Sequence, residues 1–121
     1  MTRPAWSDAE NDICSGAYLD MLALEMAGTK YNKAATKRAG ITLMAATRDD
    51  SVARSSGSWE MKCQNISAVM NAAGLRYIKG YKPLGHGQQK ALAAALIRQL
   101  EQRDQFDAIT MAAIDCLRGQ T

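Results

Sequence analysis

Lys62, Gln64 and Asn65 place one cation and two planar amides within four residues. A primary amide presents a donor and an acceptor in one plane, the pattern that pairs with the N6 and N7 edge of adenine, and one such bidentate contact discriminates between bases by about 1–3 kcal/mol. Further on, Arg76, Tyr77, Lys79, Tyr81 and Lys82 interleave two aromatic rings with three cations. Such a run can follow a phosphate backbone, stack on exposed bases or enter a minor groove. Lys33, Lys37, Arg38 and Arg54 add phosphate-binding capacity, as do the free amides of a helix starting near Ser58. Each feature has a plainer alternative. Gln64, Ser67 and Asn71 could form a solvated helix face, and Tyr77 and Ile78 could pack on the domain while the lysines keep it soluble.

The residues of acid–base, nucleophilic and metal chemistry are thinly spread. The chain has a single histidine, His86, with no cysteine or acid near it at ligand spacing, so neither a zinc site nor a two-histidine nuclease motif fits one subunit. Asp49 and Asp50 are adjacent in a polar run, where they suit turn and solubility roles better than magnesium binding. Neither GxGxxG nor the phosphate-cradling P-loop pattern occurs. Cys63 and His86 form the one nucleophile–base combination, but Cys63 falls on an apolar stripe, where a small thiol is normally buried and inert. The expectation is a non-enzymatic protein with no catalytic residue, no metal and no cofactor. Cys14, Cys63 and Cys116 are odd in number and widely spaced, which argues against a disulfide framework and for the reducing cytoplasm.

Charge is polarised along the chain. Residues 30–90 hold eleven of the fifteen Lys and Arg but three of the twelve Asp and Glu, a local +8, whereas residues 1–29 carry −4 and residues 91–121 carry −1. Clustering of this kind is the footprint of a surface that meets a polyanion, so DNA is the expected partner and an acidic protein the alternative. No apolar stretch is long enough for a signal peptide or a membrane span.

At 121 residues one helical core is the expectation, built from Ala, Leu, Ile and seven Met because aromatic residues make up 6%. Ser7 and Glu10 form a capping-box signature for a first helix that ends at Gly28. Ile13, Ala17, Met21 and Leu24, widened by Tyr18, Leu22 and Met26, describe a central helix packed on more than one side. Asn32 caps a second helix over roughly 33–47, weakened in its middle by Gly40, Ile41 and Thr42. After a loop over 48–58, Ser58 caps a third helix that stops before Gly74, with Trp59, Cys63, Ile66, Val69, Met70 and Ala73 as its buried stripe. Glu60, Gln64, Ser67 and Asn71 form its outward side, and Met61, Asn65, Ala68 and Ala72 a strip that another surface could approach. Residues 75–87 read as an extended arm or isolated strand. Two further helices follow, with faces at Leu92, Leu96 and Leu100 and at Ile109, Ala113 and Leu117. The whole is an all-α single domain over 1–121, about five helices with a helix-turn-helix-like core. Met- and Ala-rich faces on the last two helices could support a homodimer.

Residues 54–88 also resemble the amino-terminal, head-type domain found in front of His-Asn-His endonuclease domains in restriction-type and related bacterial defence proteins. The resemblance is carried by Ser55, Gly57 and Ser58; by Lys62, Gln64, Asn65, Ile66, Ser67, Ala68 and Val69; by Gly80, Tyr81, Lys82 and Pro83; and upstream by Tyr31, Asn32 and Lys33. It extends over most of residues 6–88 and leaves 89–121 as additional carboxy-terminal helices. Cys63 stands where the family pattern has histidine, and Trp59 where it has a smaller aliphatic residue. The resemblance implies a targeting or docking role beside an effector, and in a free-standing copy a regulator, decoy or inhibitor in defence or counter-defence.

Overall fold

The computed structural model describes residues 6–47, 54–85 and 90–103. Four helices run in the order α1 (Asp8–Met26), α2 (Lys33–Ala46), α3 (Ser56–Ala72) and α4 (Lys90–Glu101), and there is no strand among the described residues. The expected fifth helix, the loop at 48–53 and His86 lie outside them.

Local chemistry fixes the helix ends. The Ser7 hydroxyl accepts from the Glu10 amide while the Glu10 carboxylate accepts from the Ser7 amide, completing the capping box. Asn32 caps α2 by accepting from the Ala35 amide. At the far ends of α1 and α3, Gly28 and Gly74 take positive φ. There the amides of Thr29 and Leu75 reach back to the carbonyls of Leu24 and Met70, closing two Schellman motifs. The cap of α3 differs from expectation. Ser55, not Ser58, is the N-cap, and its hydroxyl accepts from the Ser58 amide, so the helix starts earlier.

α1 is the axis of the bundle and touches each of the other helices. Glu10 meets Arg54, Cys14 meets Cys63 and Tyr18 meets Ser67, so α1 and α3 advance in the same direction. Asp12 meets Arg98, and Asp20 meets Arg103, so α4 is parallel to α1 as well. α2 returns after a short turn and packs against both α1 and α3.

Two parallel helices in sequence require a return path. α3, of seventeen residues, is ~26 Å long, and an extended chain gains about 3.3 Å or more per residue. The segment after Gly74 makes that return. It runs back along the bundle, with the Ile78 amide donating to the Tyr18 hydroxyl and the Leu84 amide to the Gln64 carbonyl. The arm or isolated strand expected from Tyr77, Ile78, Tyr81 and Pro83 is not formed: the stretch is irregular, with a turn closed by the Tyr81 amide donating to the Ile78 carbonyl. Ile78 and Tyr81 are buried core residues.

The expected stripe of α3 is inside, as are Leu92, Leu96 and Leu100 of α4. One residue assigned to the outward side lies inside, and so does one from the strip open to approach. Ser67 is fully buried, 2.7 Å from the Tyr18 hydroxyl, and Ala68 is buried too. Gly40 explains the weak middle of α2. A Cβ there would stand 2.2 Å from the Trp59 ring, so this position lets the indole lie directly on the α2 backbone.

Candidate anion-binding surface

Among the described residues, the cations of 30–90 include one group at each end of α1, with Lys37 and Arg38 along α2. At the amino end, Arg54 donates to Glu10 at 2.7 and 2.9 Å and is almost wholly buried. Its guanidinium also lies 5.4 Å from the Trp6 ring centroid, with the Lys62 ammonium 4.8 Å from the same ring. Burial, more than any neighbouring charge, lowers the Lys62 pKa from its usual value. Arg54 was expected to bind phosphate; it is instead a structural cation, because a buried guanidinium needs its own carboxylate.

At the carboxyl end of α1, the Lys33 ammonium sits 4.3 Å from the Tyr81 ring centroid and donates to the Gly80 carbonyl at 3.4 Å. This contact ties the start of α2 to the return segment, which carries exposed Arg76, Lys79 and Lys82. Exposed Lys30 lies in the turn just before α2. Tyr81 thus serves as the platform under Lys33. It was expected to stack on a base, but at 2% exposure its ring has no free face to offer. Its phenol is pushed well above the ordinary range by burial, then by nearby Cys63 and Glu60.

The remaining candidates are divided. Lys37 is partnered by Glu60 at 3.2 Å across α2 and α3. Arg38 is exposed on α2, and Ser58 lies half-buried in the first turn of α3. Gln64 and Asn65 are half-buried, with the return segment bonded to the Gln64 carbonyl.

The acids of α1 decide which cations stay uncompensated. Glu10, Asp12 and Asp20 are taken by Arg54, Arg98 and Arg103. Glu25 alone faces the lysine end, where it accepts from the Tyr31 hydroxyl at 2.8 Å and the Lys79 amide at 3.1 Å. The negative charge of residues 1–29 is thus spent mainly on arginines brought from elsewhere in the chain, and the lysine end keeps its excess.

Sequence reasoning missed the buried polar contacts. Glu10 was read as a cap, although it also anchors Arg54. Tyr18 was read as an apolar widening of α1, although its hydroxyl joins Ser67 to the Ile78 amide. A tyrosine within an otherwise aliphatic stripe, with an inward serine on the partner helix, is the signal that could have found it.

A groove of about 540 Å³ opens between α1, α2 and α4, lined by Ile13, Gly16, Ala17, Leu24, Ala39 and Leu43 among others, with Arg103 at its edge. Among the described residues, no group of three or more His, Cys, Asp or Glu is placed to hold a metal, and no helix is long and apolar enough to cross a membrane. No family model, curated protein or solved structure matches the chain. The likeness of residues 54–88 to nuclease-associated domains therefore rests on the motif residues alone.

Proposed function

We propose that the protein is a non-enzymatic DNA-binding module that holds the phosphate backbone at the lysine end of the bundle. The carrying observation is the placement of Lys33 on Tyr81 and Gly80, which gathers the start of α2 and the basic return segment around a region opposed by Glu25 alone among the α1 acids. Phosphate contacts from Lys30, Lys33, Arg76, Lys79 and Lys82 supply the affinity, and Arg38 extends the surface along α2. In this reading α2 and α3 form the helix-turn-helix-like pair, and half-exposed Gln64 and Asn65 are the residues left to read a base edge. The motif resemblance supports a setting in bacterial or phage defence or counter-defence, within the cytoplasm.

Each neutralised phosphate releases counterion and contributes about −0.9 to the slope of log K against log salt on duplex DNA, so full engagement of the five residues gives a slope of roughly −4 to −5. Titration of a labelled duplex over a range of salt measures it. A triple Lys33→Gln, Lys79→Gln, Lys82→Gln variant is expected to flatten the slope by about 3. Absence of binding to duplex and single-stranded DNA at low salt would sink the proposal.

A second reading uses the same surface against an acidic protein, acting by occlusion. It is favoured by the burial of Tyr81, which leaves charge with few groups able to recognise a base. A partner retained from nuclease-treated lysate, and released by the triple variant, selects this reading over DNA binding.

A further inference from the structure

The centre of the α1–α3 interface contains a chemical pair that the anion-binding reading does not use. Cys14 and Cys63 are both free thiols, both fully buried, and their sulfurs lie 3.9 Å apart. Their register is fixed on both sides, by the Glu10–Arg54 ion pair on one and the Tyr18–Ser67 hydrogen bond on the other. The two sulfurs therefore face one another whenever the helices are packed. Two buried thiols can be nothing more than small apolar fillers, but fillers need not stand sulfur to sulfur across parallel helices.

We propose that Cys14 and Cys63 are an oxidisable pair that closes into a disulfide under a peroxide and clamps α1 to α3 through the middle of the core. The step balances as a two-electron oxidation. One thiolate sulfur attacks hydrogen peroxide, breaking the O–O bond to give a sulfenic acid and, after protonation, water. The second sulfur then attacks the sulfenic sulfur, forming the S–S bond and expelling the hydroxyl as a second water. Both thiol protons are accounted for in the two waters, and a dithiol reductant reverses the reaction. Burial, then the neighbouring Cys63, push the Cys14 thiol up, and the Lys62 charge offsets this only in small part. Oxidation consequently waits on local opening rather than proceeding at a surface rate.

The element that opens is the return segment. Tyr81 lies near Cys63, and the irregular segment holding it is bound to the helices by the Ile78, Lys79 and Leu84 amides, by the Lys33 contacts with Gly80 and Tyr81, and by the buried side chains of Ile78 and Tyr81. An irregular connection lacks the continuous hydrogen-bond ladder of a helix and opens more readily than the helices it joins. Closure of the disulfide draws the sulfurs from contact to about 2.05 Å, so the residues packed on Cys63 must shift with it.

The full-length Cys116→Ser protein, purified reduced, provides the test, because the pair is then the only source of thiols. Peroxide treatment of the folded protein is expected to lower the mass by about 2 Da, remove both titratable thiols and yield a Cys14–Cys63 linked peptide, all restored by dithiothreitol. Cys14→Ala and Cys63→Ala, each checked for a native helical spectrum, should each abolish the mass loss and leave one thiol. A linked peptide from the Cys116-containing wild type serves as the check should any of the variants fail to fold. Two thiols persisting after peroxide, mass gains from sulfinic or sulfonic acid, or dimers linked between chains would each overturn the inference. These readouts do not involve DNA, so the clamp and the anion-binding surface stand or fall separately.

Discussion

Arg54 and Lys33 carry the same charge and belong to the same basic stretch of sequence, yet they meet opposite environments at the two ends of α1. At the amino end, Arg54 lies in the interior with Glu10 on two of its nitrogens. At the carboxyl end, Lys33 rests on Tyr81 beside exposed lysines. The difference shows why a run of positive sequence is not yet a positive surface. A cation taken out of water must bring a carboxylate with it and then contributes little to the external field. A cation left at the rim keeps both its hydration and its reach. In this chain Glu10, Asp12 and Asp20 neutralise three arginines, and the imbalance survives where lysines predominate.

The largest expected effect separates the two ends. Glu10→Gln preserves shape but removes the carboxylate charge that accepts two hydrogen bonds from the buried Arg54 guanidinium, and loss of about 3–5 kcal/mol is expected from urea unfolding, enough to threaten folding at physiological temperature. Should Glu10→Gln cost less than about 1 kcal/mol, Arg54 would be sufficiently hydrated to count among the anion-binding residues after all.

Between the two ends, α2 is held to α3 by the contact of Gly40 with Trp59. Gly40→Ala raises helix propensity by about 1 kcal/mol, but its methyl group would overlap the indole. Overpacking of a filled core costs typically about 1–3 kcal/mol, so a net loss of stability is expected. An unchanged or raised melting temperature would mean that α2 can move away from α3 freely, and that the placement of Lys33 is equally loose.

How much of this division could be read from the sequence depends on the range of the interaction involved. The capping box at Ser7 and Glu10, the Asn32 cap, the stops at Gly28 and Gly74 and the buried stripe of α3 are local or periodic signals, and each appears in the structure. The Arg54–Glu10 pair joins residues forty-four apart and the Tyr18–Ile78 bond residues sixty apart. No local pattern encodes such pairings. Tyr81 illustrates the cost, because its spacing from Lys79 and Lys82 looks like an interleaved nucleic-acid arm until the parallel arrangement of α1, α3 and α4 turns that stretch into a return connection. Lys79 and Lys82 are exposed for a simpler reason. Lysine is rarely buried without a partner.

A smaller effect is expected at the rim itself. Lys33→Gln removes one cation–π contact on a half-exposed side chain, worth about 0.5–1 kcal/mol. Its influence on DNA affinity should be proportionately greater than its influence on stability, with the salt slope falling by about 1. If stability falls by several kcal/mol instead, Lys33 is a structural cation like Arg54, and the contrast between the ends disappears.

The smallest effect concerns Glu25, the α1 acid that faces the lysine end. Its carboxylate accepts from Tyr31, and burial, followed by this hydrogen bond and the adjacent negative charge, pushes the Tyr31 phenol up to about 12 from its usual 10. A phenol whose folded pKa lies above its unfolded value stabilises the fold fully below pH 10, and that contribution is lost as pH rises through about 10 to 12. Absorbance titration at the phenolate band should therefore show Tyr31 ionising late, yet before Tyr18 and Tyr81, which burial holds higher still. Tyr31→Phe should delete that step and flatten the stability profile in the same pH window. Ionised Tyr31 would stand beside the Glu25 carboxylate and loosen its acceptance of the Lys79 amide, so the return segment should exchange its amide protons faster across the same range. A Tyr31 that ionises at the ordinary value would show Glu25 turned away from it, free to pair with Lys79 or Lys33 and reduce the positive excess on which the contrast between the two ends depends.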